Sequence, residues 1–254
     1  MRDERVKRAA GIGYAVVAYA AFVAATVWAA GFLADRWAPT TVDGRAGGSW
    51  QSASAVDLGL LGLFAVQHTV MARAAFKGWA ARVVPRSVER STYVLASSAL
   101  LMLLYVGWRA LPGTLWRVSG APAAAVWAAY ALGWAIAIAA TFMVDHREFL
   151  GLRQAASGGA APPPGFTARR LYAWVRHPMM TGLLIAFWAT PQMTVGHLIF
   201  ALAGTGYILV GIRFEERDLR RNLGADYTAY AARVPALIPR PARSRRAAPT
   251  PGPR

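Results

Sequence analysis

Stretches of roughly twenty residues with almost no charge recur along this chain, at 11–34, 55–72, 92–108, 122–144 and 193–212. A helix needs about 20 apolar residues to cross some 30 Å of hydrocarbon, so each stretch is long enough to span a bilayer. A sixth stretch, MMTGLLIAFWATPQ at 179–192, is shorter, and Arg176 and His177 block its extension backwards. It reads as a short or broken membrane helix that forms a hairpin with the last span. The expected fold is therefore all-α, a polytopic membrane helical bundle of about six spans. Residues 1–239 make one membrane domain, and 240–254 a disordered basic tail.

In a soluble protein a formal net charge of +16 would point to nucleic acid, but here the placement of the basic residues decides otherwise. Lys plus Arg number 4 before the first stretch, then 2, 5, 2, 5 and 0 between successive stretches, and 10 after the last. Rich and poor segments alternate only if the short stretch counts as a span. By the positive-inside rule both termini and the two basic loops then face the cytoplasm. The opening MRDERVKRAA has the layout of a signal sequence, yet the apolar run after it exceeds the usual 7–15 residues, so it reads as a retained first span. The chain has no cysteine, which excludes disulfides, thiolate metal sites and an enzyme-thiol intermediate.

Two segments follow from turn chemistry. RQAASGGAAPPPGFTARR, 153–170, reads as a flexible connector or lid, and the Pro- and Arg-rich tail as a segment lying on anionic headgroups. Between the last span and the tail, FEERDLRRNLGADYTAYAARVPALIP predicts a helical cap. Glu216 and Arg220 form an i,i+4 pair, Gly224 ends one helix, Asp226 starts another, and Val234-Pro235 ends that one.

The motif RHPMMTG at 176–182, then EERDL at 215–219 and LGADYTAYAARVPALIP at 223–239, resembles the carboxy-terminal half of the isoprenylcysteine carboxyl methyltransferase superfamily. With FAVQHTVMARAAFKGWAARVVPRSVERSTYVLASS at 64–98, DHREFLGLRQ at 145–154 and FWATPQMTVGHLIFALAGTGYI at 187–208, the chain is similar to the bacterial methanethiol S-methyltransferases from Leu58 to Pro239. The resemblance implies methyl transfer from S-adenosylmethionine to methanethiol, giving dimethyl sulfide. It implies that the RHP and Glu-Glu elements, Arg176, His177, Pro178, Glu215 and Glu216, help form the cofactor pocket; Gly182 of the same motif and Tyr227 and Tyr230, which can stack or hydrogen-bond, complete the expected cofactor set. Met180 departs from the Tyr common at that position and is assigned no role.

The chemistry is consistent with these residue types. Displacement at a sulfonium methyl requires a cationic donor and a small nucleophile held in contact away from water, with no metal. Arg176 and His177 suit a carboxylate, Glu215 or Glu216 an ammonium or ribose, and aromatic faces the sulfonium, for about 0.5–2 kcal/mol. Each residue also has a plainer reading: Arg176 and His177 as an interfacial pair ahead of a Pro-started helix, the glutamates as juxtamembrane charges paired with Arg213 and Arg220, the tyrosines as interfacial anchors. Gln67 and His68 fall inside the second span, where they serve either as hydrogen-bonding glue between helices or as part of a substrate site. In the latter reading His68 accepts the proton of a small volatile thiol. Trp188, with Trp174 and Phe187, is expected to narrow the substrate cavity, and His197 to sit at an interface. The alternatives left open are a non-catalytic or haem-related accessory protein of a denitrification-associated membrane family, a membrane reductase using NADPH, and a methyltransferase with another acceptor.

Overall fold

Five of the apolar stretches form helices long and apolar enough to cross a membrane. The computed structural model describes residues 2–44, 48–160 and 168–239; the basic tail at 240–254 and part of the Gly- and Pro-rich connector, 161–167, lie outside the described residues. In chain order the elements are α1 (Arg2–Ala34), α2 (Trp50–Ala72), α3 (Ala74–Ala80), α4 (Glu89–Gly107), β1 (Thr114–Arg117), α5 (Gly120–Val144), α6 (His146–Phe149), α7 (Leu152–Ala156), α8 (Pro178–Trp188), β2 (Gln192–Thr194) and α9 (Val195–Arg233). Two short 3-10 turns, Arg86–Val88 and Arg170–Ala173, precede α4 and α8.

Local chemistry sets the helix ends. The Ser49 side chain accepts from the Ser52 N–H and starts α2, while Pro178 opens α8, where its missing N–H costs nothing. Thr194 caps α9 by accepting from the His197 N–H at 3.1 Å, and its hydroxyl donates to Asp43 at 2.6 Å, tying the α1–α2 loop to the last span. Burial raises the Asp43 carboxyl above its ordinary value.

α8 has 11 residues, about 16 Å of rise, so it penetrates roughly half of the hydrocarbon. It is nevertheless held deep in the bundle, because Gly182 and Gly133 bring the α8 and α5 backbones into direct contact. A Cβ on Gly182 would lie 2.5 Å from both Ala137 N and Gly133 O. Small residues allow this approach in membranes, where apolar association gains little from lipid exclusion. The expected hairpin forms, with Trp188 Nε1 donating to Thr205 Oγ1 and His197 Nε2 meeting Phe187 O at 2.8 Å. His197, expected at an interface, is 1% exposed, because the α1–α2 loop and the β1–β2 pair fold over that end of the bundle.

The aromatic core lies in this same half. Phe32, Trp108 and Phe200 meet with ring centroids 5.7–5.9 Å apart, and Tyr105 packs beside Phe32 at 5.0 Å. We term this the distal end; the proximal end carries the start of α1 and the helical cap. α9 runs from distal to proximal and changes direction at Gly224, whose positive φ of 55° ends the regular helix where the sequence places a stop.

Candidate functional site

The proximal end gathers charged groups from two elements far apart in sequence. Arg176 lies just before α8 and Glu216 is on α9, and their side chains are only 11% and 10% exposed. Arg176 Nε donates to Glu216 Oε1 at 2.8 Å and Nη2 meets the same oxygen; Nη1 donates to the carbonyls of Ala231 at 3.0 Å and Val234 at 2.5 Å. The guanidinium is thus engaged within the fold. The backbone reinforces it: Arg176 N–H donates to Pro235 O at 2.9 Å, His177 N–H to Ala236 O at 3.0 Å, and Thr181 Oγ1 to Leu237 O at 2.9 Å. Arg-His-Pro therefore stitches residues 234–237 to the start of α8.

Around this clamp His177 is 4% exposed at the side chain, with Nε2 3.3 Å from Glu216 Oε1 and Nδ1 3.5 Å from Glu215 Oε2. Arg220 Nη2 pairs with Glu216 Oε2 at 2.9 Å, the i,i+4 contact that the sequence predicts. Tyr227 and Tyr230 are buried, and the Tyr230 hydroxyl donates to Tyr172 O at 2.6 Å. Burial, reinforced by the Glu215 carboxylate and Tyr230, pushes the Tyr172 phenol up to about 12. Two charges of the network remain half exposed: Glu215 at 52% and Arg220 at 49%.

The structure thus brings together Arg176, His177, Pro178, Glu215, Glu216, Tyr227 and Tyr230. Gly182, expected at the cofactor, faces α5, because its missing side chain is what allows the two helices to touch. Arg176, expected to face a ligand carboxylate, turns inward to Glu216 and the cap carbonyls. Arg220 and Tyr172 also join this cluster, and the sequence motifs place neither at the cofactor. The i,i+4 pairing marks Arg220, whereas Tyr172 enters only through the tertiary contact to Tyr230.

A second polar cluster lies within the spans. The His68 ring has Nδ1 3.1 Å from Ser97 Oγ and Nε2 2.7 Å from Tyr93 Oη, and it stacks on Phe64 at 5.1 Å. Gln67 Nε2 donates to Ser97 Oγ at 3.3 Å, and Thr69 meets the Tyr207 hydroxyl at 3.3 Å, which joins α2 to α9. Tyr207 and Glu216 are nine residues apart, about 13 Å of rise and half a turn out of phase. His68 therefore belongs to the α2 side of α9 and the Glu216 clamp to the α8 side. Trp188 goes with the clamp side, since its partner Thr205 is almost in phase with Glu216. Trp174 precedes α8 and Trp188 ends it, so the two indoles lie toward opposite ends of that helix instead of narrowing one small cavity. His146, from a third region, bonds Thr141 at 2.9 Å and Tyr19 at 3.2 Å. No group of three metal-ligating side chains gathers among the described residues.

Residues 58–231, from the early part of α2 to near the end of α9, match the NnrU protein family. The chain is 49% identical over 242 residues to "Methanethiol S-methyltransferase" of Mycobacterium tuberculosis, covering 94% of this chain and 99% of that protein. The chain belongs to the family of NnrU proteins and methanethiol S-methyltransferases. "Methanethiol S-methyltransferase 2" of Bradyrhizobium diazoefficiens is 48% identical over 230 residues, 89% of each chain. Rat "Nurim" is 31% identical over 176 residues, 65% of this chain and 67% of that protein. No solved structure matches. The NnrU match contains the side chains of both polar clusters and ends before the 234–237 carbonyls that the clamp binds.

Proposed function

We propose that this membrane enzyme transfers a methyl group from S-adenosylmethionine to methanethiol, producing dimethyl sulfide. The observation that carries the reading is the near-full-length identity with proteins named methanethiol S-methyltransferase, 49% over 94% of the chain. The donor set of the proximal network fits the methyl donor: a half-exposed carboxylate and a half-exposed guanidinium stand beside buried tyrosines. Bound there, S-adenosylmethionine supplies an electrophilic methyl on a sulfonium.

Glu215 is suited to the ammonium or ribose hydroxyls, and Arg220 to the carboxylate. Arg176, His177 and Glu216 hold Glu215 and Arg220 in position by locking α9 and its cap to α8, which keeps the charges pre-organised. Pro178, Tyr227 and Tyr230 shape the same region. Gln67 and His68 remain the candidates for receiving the thiol, with Ser97 fixing the His68 ring and Nε2 accepting the thiol proton in place of its contact to Tyr93; Glu215, eight residues on from Tyr207 and about 80° from it round α9, turns the donor toward that side of the helix. The proximal end faces the cytoplasm of the inner membrane, and the acceptor reaches the enzyme from the bilayer.

Headspace gas chromatography of expressing cells fed methanethiol tests this reading. Dimethyl sulfide is expected from the intact chain and not from the Glu215→Ala, Arg220→Ala double variant present at equal level in the membrane. The opposing reading is a non-catalytic membrane protein. An intact, folded chain that neither binds S-adenosylmethionine nor releases dimethyl sulfide would establish it instead.

A further inference from the structure

We infer that the proximal end carries a second site, a crevice that takes the phosphate headgroup of an anionic phospholipid. The crevice, about 770 Å³, lies between the first turns of α1 and two segments folded against them, the 3-10 turn Arg86–Val88 and α7. It is independent of the Arg176–Glu216 network, and none of that network's residues lines it.

Its two halves differ in chemistry. At the rim stand Arg5, Lys7 and Arg8 with Glu4. The Lys7 ammonium is taken by Asp3 at 2.8 Å and Glu4 at 3.8 Å. Arg5 and Arg8, three residues apart and so on one helix face, are in no ion pair among the described residues. The floor is apolar, built from Val88, Ala155 and Ala156, with Tyr14 as its wall, fixed by a hydrogen bond to Thr92 at 3.2 Å.

The apolar part of α1 begins at residue 11, so Arg8 and Arg5 lie roughly 5 and 9 Å outside the hydrocarbon, at the depth of lipid phosphates. A cationic rim above an apolar floor at that depth fits a lipid, with its phosphate on the arginines and its glycerol and upper acyl chains along Tyr14 and Val88. A free anion would leave the floor unused. Basic pockets between helices at the cytoplasmic surface hold anionic headgroups by this combination of charge and apolar contact.

Native mass spectrometry of the full chain, released from micelles holding equal phosphatidylglycerol and phosphatidylcholine, tests the site. The intact chain is expected to retain phosphatidylglycerol selectively. Arg5→Gln with Arg8→Gln should weaken retention about thirtyfold, the surface attraction of two basic residues. Ala156→Trp should reduce it with every charge intact, whereas Arg117→Gln, on the distal strand, should leave it unchanged. Inorganic phosphate at millimolar concentration should not displace the lipid. The proposal is overturned if the double variant retains the lipid like the intact chain, if Arg117→Gln loses as much, or if inorganic phosphate displaces it.

Discussion

The two polar clusters flanking α9 solve the same difficulty, polar groups in an apolar chain, in opposite ways. At the proximal end Glu216 is held by the guanidinium groups of Arg176 and Arg220, full charges paired where α9 leaves the apolar stretch, with the His177 ring beside them. Inside the spans His68, Ser97, Tyr93 and Gln67 use hydrogen bonds among groups that are neutral as a set. Depth accounts for the difference. A charge is costly at the bilayer centre and cheap at the interface, whereas a hydroxyl–imidazole network satisfies its members without charge. The clamp ties segments together with full charges, and the neutral cluster ties spans together without them.

Removing Arg176 should produce the largest effect on this comparison. Arg176→Ala frees a nearly buried carboxylate and two cap carbonyls, so about 3 kcal/mol of stability and nearly all activity should be lost. Thermal melting in detergent checks the first and dimethyl sulfide release the second. Arg176→Lys should restore only part, since an ammonium lacks the planar fork that serves Glu216 and the carbonyls together. A melting curve unchanged by Arg176→Ala would remove the clamp from the account.

His68→Ala should lower turnover about a hundredfold or more while cofactor affinity stays within a factor of two, the signature of a proton acceptor. Tyr93→Phe should cost about 1 kcal/mol of stability at most, as an interhelical hydrogen bond within a membrane does. Normal turnover by His68→Ala would reduce the neutral cluster to glue between helices.

Gly182→Ala sharpens the contrast from a third position. A Cβ there meets backbone atoms of α5, so about 1–3 kcal/mol should be lost through displaced helices. The melting temperature should fall while cofactor affinity in the folded fraction is unchanged; a selective loss of affinity would return Gly182 to the cofactor pocket.

Glu215→Gln should leave the melting temperature within a degree or two and weaken S-adenosylmethionine binding about tenfold, a half-exposed carboxylate adding little to stability. The smallest effect belongs to Asp145. Its carboxyl lies below its ordinary value because it accepts from the Glu148 N–H and then from the Arg153 side chain. That stabilisation is present above the unfolded carboxylate value near 4 and is lost as pH falls through the lower folded value. Asp145→Asn should therefore flatten a shallow loss of stability below pH 4, measured as melting temperature against pH.

Much of this was legible in the sequence because its causes are local. Uncharged runs marked the five long helices, Pro178 the start of α8, Gly224 the break in the last helix, and the i,i+4 spacing the Glu216–Arg220 pair. The motifs pointed to the proximal residues as one group, and they do assemble. What each does there was not legible, because Arg176 reads the same in sequence whether its partner is a ligand or a carboxylate forty residues on. Gly182 likewise looks alike as a cofactor contact and as a helix-packing residue until α5 is placed against it.

The sequence by itself determined that this chain crosses a membrane, where its apolar helical segments lie, and which residues carry charge, since length, hydropathy and capping act within a few residues. The tertiary structure alone decided that Arg176 is spent on the cap, that the imidazole and the carboxylate lie on opposite sides of α9, and that His197 is buried. Those outcomes depend on which helix faces meet, and a helix face selects its neighbour only when the whole bundle is packed.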